Sequence, residues 1–154
     1  MAQYRLPQYV WVKVEGRFPN PTRTDIVAGR HRLVLDELPS RRGNDDGMLP
    51  LQALMAALAS CIHVAANAIA QEMHIEFTDS RIVADGKFDT RGFTGELETV
   101  LPLPEVDLTV SFSSTAQASE IEELRRQLRW RCPVSAQLRA AGTVINEDWK
   151  WTRD

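Results

Sequence analysis

Apolar residues recur along this chain in two rhythms, alternation in some stretches and steps of three and four in others. The switches between them outline the fold. Tyr9-Val10-Trp11-Val12-Lys13-Val14 is rich in β-formers and predicts a first strand. Turn chemistry follows in Gly16, Pro19, Asn20 and Pro21. Thr22 to Ala28 and His31 to Asp36 predict two further strands around a turn at Gly29, with Leu33 and Leu35 sharing one face. Leu38 to Leu49 carries Pro39, Gly43, Asn44, Asp45, Asp46 and Gly47 with no period, and reads as a loop.

At Pro50 the rhythm changes. Proline is well placed at the first helical position, and Leu51, Leu54, Met55, Leu58, Ile62, Ala65, Ala66, Ile69 and Met73 then recur at helical steps. The pattern predicts a helix of roughly 24 residues, ~36 Å long. From Ala53 to Ile62 it is apolar almost all round, so it must be a central helix. Ser60, His63 and Asn67 interrupt the run, which favours a buried helix over a membrane span.

Arg81 to Phe88 and Val106 to Phe112 alternate as strands, with Gly86 a candidate bulge and Asp89 to Pro104 an excursion between them. Ser119-x-x-Glu122 matches a capping box and opens an amphipathic helix with Ile121, Leu124 and Leu128 on one face. Cys132-Pro133-Val134 interrupts it, a short helix runs from Val134 to Ala141, and Thr143 to Trp151 predicts a last strand. The order β-β-β-α-β-β-α-α-β is that of an α+β domain with a mainly antiparallel sheet around a long central helix. We expect residues 1–154 to form a single domain.

Composition narrows the function classes. The 154 residues are 44% hydrophobic and 25% charged, with a net charge of -3, so overall charge implies no nucleic-acid surface. The arginines at 41–42 and at 125, 126, 129 and 131 read as solvated faces. Met1 to Val14 lacks the apolar core of a secretory signal, which predicts a soluble cytoplasmic protein with no membrane partner. Two cysteines and three histidines are scattered without zinc-like spacing, so no metal is expected. In a reducing compartment such a cysteine pair is catalytic, metal-binding or simply buried more often than a structural disulfide.

Taken from local physics, the two cysteines differ. Cys61 lies on the apolar side of the long helix and reads as a small core residue, with His63 on roughly the opposite side. Cys132 precedes Pro133 at a helix start, where free N–H groups favour a thiolate, and Arg129 and Arg131 add positive charge. On that reading Cys132 is the reactive thiol, although a hydrophobic plug at the helix junction fits it equally well.

The motifs around the two cysteines carry a resemblance. Gly47-Met48-Leu49-Pro50-Leu51-Gln52-Ala53-Leu54-Met55-Ala56-Ala57-Leu58-Ala59-Ser60-Cys61 resembles the G-x-x-P-x-E-x-L-x-A-A-L-x-x-C helix of the OsmC/Ohr hydroperoxide-reductase family. Arg131-Cys132-Pro133-Val134-Ser135 resembles its second cysteine motif, C-P-V-S/H, and Asn20-Pro21-Thr22-Arg23-Thr24 and Leu35-Asp36-Glu37 resemble features of one OsmC-like subgroup. The resemblance runs over about residues 9 to 148. It implies an intertwined homodimer in which sheets from both chains wrap a pair of central helices.

By this resemblance Cys61 is the peroxidatic thiol and Cys132 the resolving one, reversing the order local physics suggests. No bound cofactor is implied; an external dithiol resets the disulfide. An activating arginine, held by a glutamate near the helix start, matches Arg23 best and Arg17 second. At the glutamate's place this chain has Leu51 and Gln52, with Asp36, Glu37, Asp45 and Asp46 as nearby acids. Gln52, Leu54, Leu58, Ile62 and Phe93, together with Leu97, are the expected pocket residues, and their apolar character suits an organic hydroperoxide better than hydrogen peroxide. Two other readings compete with this peroxidase: a ligand-binding dimer of the same fold that has lost turnover, and a sensor whose Cys61–Cys132 oxidation alters a partner surface.

Overall fold

The computed structural model describes residues 7–153, so Met1 to Leu6 of the N-terminal stretch lie outside the described residues. The chain divides into two compact units, Met1–Ala53 and Leu54–Asp154.

The first unit is built on a three-stranded antiparallel sheet of β1 (Glu15–Arg17), β2 (Thr24–Ala28) and β3 (His31–Leu35), in that spatial order. Gly29, at φ +60°, makes the β2–β3 turn in a conformation that glycine adopts at no steric cost. The loop after β3 is organised by Asp36, whose side chain has no exposed surface. Its carboxylate accepts hydrogen bonds from the backbone N–H groups of Glu37 (2.9 Å), Asn44 (2.9 Å) and Asp46 (3.3 Å). Burial alone would raise this carboxyl; the bonds from Asn44, Glu37, Thr22 and Asp46 outweigh it and pull the group down to about 2. Gly43 lets the loop fold that tightly, since a Cβ there would sit 1.8 Å from the Glu37 carbonyl oxygen.

Helix α1 (Pro50–Glu72) starts in the first unit and runs through the second. It is long and apolar enough to cross a membrane, yet Leu58, Ile62, Ala66, Ile69 and Ala70 are core residues of the second unit. That unit holds a second sheet: β4 (Thr78–Lys87) pairs antiparallel with β5 (Glu105–Ser113), and β5 pairs parallel with β6 (Val144–Thr152). A short helix α2 (Arg91–Thr94) lies in the β4–β5 excursion, and α3 (Ala118–Arg131) and α4 (Pro133–Ala140) make the crossover to β6. Val106, Leu108, Val110 and Phe112 of central β5 alternate inward and are 5% exposed or less, meeting Ile121, Leu124 and Leu128 of α3 in the same core.

Several expectations need correction. Tyr9 to Val14 forms no strand; Trp11 is fully exposed and the sheet begins at Glu15. Its composition favours an extended ladder, but it pairs with no strand among the described residues. The strands form two separate sheets, and the last strand is parallel because the α3–α4 crossover returns it in the direction of β5. Gly86 pairs in register with Val106, and the irregularity falls between Thr78 and Arg81. Glycine at 86 serves a close approach: a Cβ would stand 2.8 Å from Met55 Sδ of α1. The helix after β5 is capped two residues earlier than the Ser119/Glu122 match, with Gln117 N–H donating to the Glu120 carboxylate at 2.7 Å. Glu122 instead pairs with Arg125.

Candidate active site

The two cysteines are 71 residues apart in sequence and meet within the second unit. Cys61 projects from the middle of α1, half-buried. Cys132 closes α3 and caps α4, with Pro133 at the first position of α4, so two helices fix its backbone from opposite sides. Its N–H donates to Leu128 O and its carbonyl accepts from Ala136 N–H. The Cys132 thiol donates to Cys61 Sγ at 3.1 Å, and both residues are free thiols. A disulfide needs ~2.05 Å, so closure requires an approach of about 1 Å.

The environment of Cys132 decides its state. It is fully buried, and that burial pushes its thiol up to about 11 from an ordinary value of 9.0. The backbone N–H groups of Ser135 and Val134 pull the other way, as a helix cap should, but burial and the neighbouring Cys61 sulfur prevail. Arginine charge does not tip this balance: the Arg131 guanidinium turns away to Glu72, with which it makes two bonds of 2.6 Å. Burial therefore works against the helix-start reading of Cys132 as the reactive thiolate. Its S–H is directed at Cys61, the thiol that keeps some exposure.

The other expected site residues are distributed. Arg23, in the first unit, is held by Asp25 (Nε to Oδ1, 2.8 Å) and Asp46 (Nη1 to Oδ2, 2.9 Å). Two aspartates thus anchor a guanidinium for which the family resemblance implies a glutamate at the helix start, while Asp36 is taken up by backbone bonds. Arg17 is exposed at the end of β1. Gln52 is exposed at the helix start, where its Oε1 accepts the Leu49 N–H at 2.9 Å.

Among the expected pocket residues of the second unit, Leu58 and Ile62 are closed inside the core, Leu54 is packed against it, and Phe93 is 86% exposed on α2. An open depression of about 280 Å³ lies on the second sheet, lined by residues that include Asp79, Ser113, Lys150 and Trp151, and neither cysteine reaches it. Sequence reading named Asp46 among the nearby acids and missed Glu72 and Asp25 as ion-pair partners. For Glu72 a signal existed, because a carboxylate ending a helix opposes the helix dipole and calls for a cation.

Comparisons with known proteins bear on the family and the fold. Residues 43–148 match the family model described as OsmC-like protein. A search of curated proteins gave no match. Among solved structures, an OsmC-like protein from Mycoplasma pneumoniae superposes with a TM-score of 0.79 at 22% identity, over 93% of this chain and 98% of that one. An organic hydroperoxide resistance protein OsmC from Legionella pneumophila gives 0.64 at 16% identity, over 96% and 99%. An organic hydroperoxide resistance protein from Elizabethkingia anophelis gives 0.68 at 14% identity, over 97% and 100%. At such identities these structures establish a common fold.

Proposed function

The chain belongs to the OsmC-like family, and from that premise we propose that it is a thiol-dependent peroxidase for organic hydroperoxides. The observation that carries the reading is the 3.1 Å contact from a buried Cys132 thiol to a half-exposed Cys61. Cys61, as thiolate, attacks the terminal oxygen of the hydroperoxide. The O–O bond breaks, the alkoxide leaves and takes a proton to become the alcohol, and Cys61 becomes a sulfenic acid. The Cys132 thiol then displaces that hydroxyl: a Sγ–Sγ bond forms, and the hydroxyl leaves as water with the Cys132 proton. An external dithiol returns the pair to two thiols by disulfide exchange. Family resemblance gives Arg23 the task of favouring the Cys61 thiolate, a task suited to a guanidinium that Asp25 and Asp46 hold in one orientation.

The same reading includes a homodimer acting in a reducing compartment such as the cytoplasm. It is supported by two apolar surfaces left uncovered: the α1 face with Ala56, Ala57, Val64 and Ala68, and the β-rich stretch Tyr9 to Val14. A ligand-binding dimer without turnover is the second reading. What favours it is Gln52, an uncharged side chain whose oxygen is already committed to the Leu49 N–H.

The test is steady-state consumption of cumene hydroperoxide and of hydrogen peroxide with excess dithiothreitol. The peroxidase reading expects turnover with the organic peroxide, slower turnover with hydrogen peroxide, and loss of both in Cys61→Ser. No consumption by the parent protein supports the binding reading instead.

A further inference from the structure

Glu72 ends α1 and Arg131 ends α3, immediately before Cys132. Their side chains form a bidentate pair, Nη1 to Oε2 and Nη2 to Oε1, both at 2.6 Å. Gln127, one turn earlier on α3, accepts a further bond from Arg131 Nη1 at 3.0 Å and so fixes the guanidinium plane. The pair holds Glu72 below the ordinary carboxylate range through its hydrogen bonds to Arg131.

Two features set this pair apart from the other surface ion pairs of α3. A carboxylate on the last residue of a helix opposes the macrodipole, so Glu72 is badly placed for α1 by itself and well placed only for its partner. It also follows Cys61 by eleven residues, which at ~100° per residue is three full turns, leaving the two side chains within about 20° of each other on one stripe of the helix, ~16 Å apart along the axis. The end of α3 therefore touches a single stripe of α1 at two levels, once through sulfur and once through charge.

We infer that the Glu72–Arg131 pair is a positioning clamp for the cysteines, fixing where the end of α3 stands along α1 and thereby presenting Cys132 to Cys61. The inference rests on the redox reading of the cysteine pair, and it does not require that a peroxide be the oxidant. A clamp of this kind raises the effective concentration of one thiol at the other, which is read directly in the equilibrium between dithiol and disulfide.

The experiment equilibrates the full-length protein in mixtures of reduced and oxidised dithiothreitol and measures the disulfide fraction by mass after alkylating free thiols. In this exchange the Cys61–Cys132 bond forms as two electrons and two protons pass to oxidised dithiothreitol, whose S–S bond opens to the dithiol. Glu72→Gln and Arg131→Gln should each lower the equilibrium constant for the protein disulfide by about two- to fivefold, the range of one partly exposed ion pair. The charge-swapped double variant Glu72→Arg/Arg131→Glu should recover at least half of that loss. Glu122→Gln removes a different α3 ion pair, with Arg125, and should leave the constant unchanged. Salt near 1 M, where the screening length is ~3 Å, should move the parent protein toward the single variants without any substitution. Single variants that match the parent, a swap no better than the singles, or a parent that forms no disulfide in this buffer would each overturn the clamp. A disulfide that forms with dithiothreitol but not with hydroperoxide sinks the peroxidase reading and leaves the clamp standing.

Discussion

In the proposed reaction Cys61 and Cys132 divide the work, one half-exposed and the other closed in. Cys61→Ser should abolish reaction with hydroperoxide. Cys132→Ser should still consume one equivalent and leave a sulfenic acid, captured by a 1,3-diketone probe, that does not proceed to a disulfide. The Cys132 thiol, pushed up to about 11 by its burial, also has a stability signature. A thiol is neutral when protonated, so a folded-state value above the unfolded one means that the folded protein holds this proton more tightly. Its contribution to stability is whole below about pH 9 and is lost as pH rises toward about 11. Denaturant midpoints of the parent protein should therefore fall across that window more steeply than those of Cys132→Ser; parallel curves would count against the assignment. Asp36 works in the opposite direction: its carboxyl, at about 2, stabilises the folded state above its unfolded value of 3.8 and stops doing so as pH drops through 2. Asp36→Ala frees three backbone N–H groups of the 37–46 loop. Limited proteolysis should then cut that loop first; unchanged cleavage would refute its anchoring role.

At the scale of elements, α1 carries both core residues and Cys61. Leu58 has no exposed surface in the middle of it, and Leu58→Ala should cost ~2–5 kcal/mol in a denaturant titration. Much of this level was legible in the sequence. Helical steps from Leu51 onward give α1 to within a residue or two, and the alternation of Val106, Leu108, Val110 and Phe112 gives β5, because in both the side chains that repeat are those that are buried. Tyr9 to Val14 shows where that logic ends. Strand propensity states what a segment would do when paired, and it does not say whether the fold brings the segment to a strand. The capping-box match at Ser119 failed for a similar reason: Gln117 reaches Glu120 just as well, and the helix starts where tertiary packing of Ile121 and Leu124 allows. In the candidate site, the motifs singled out both cysteines. The contrast in their burial was hidden, because burial of Cys132 depends on α1 and α3 together and leaves no mark in the residues beside it.

At the scale of the whole molecule, the uncovered apolar faces lead to the proposed dimer. The exposed stripe of α1 carries Ala56, Ala57, Val64 and Ala68 beside Ser60 and His63, mostly small side chains that let a second helix approach closely over much of its length, and Trp11, Val12 and Val14 remain in water within one chain. Sedimentation equilibrium should give twice the 17.4 kDa chain mass, and a charge placed on the helix face, as in Ala57→Glu, should shift the protein toward monomer. A parent protein that sediments as a monomer would remove the dimer from this account and leave the chemistry within one chain to be judged alone. That chemistry has one direct measurement: reduced protein is mixed with a single equivalent of cumene hydroperoxide, quenched with an alkylating agent, and its peptides are mapped by mass. The account predicts loss of both free thiols, one cumyl alcohol released per protomer, and a single cross-linked species joining the peptide of Cys61 to that of Cys132. Two alkylated cysteines and intact hydroperoxide would contradict it.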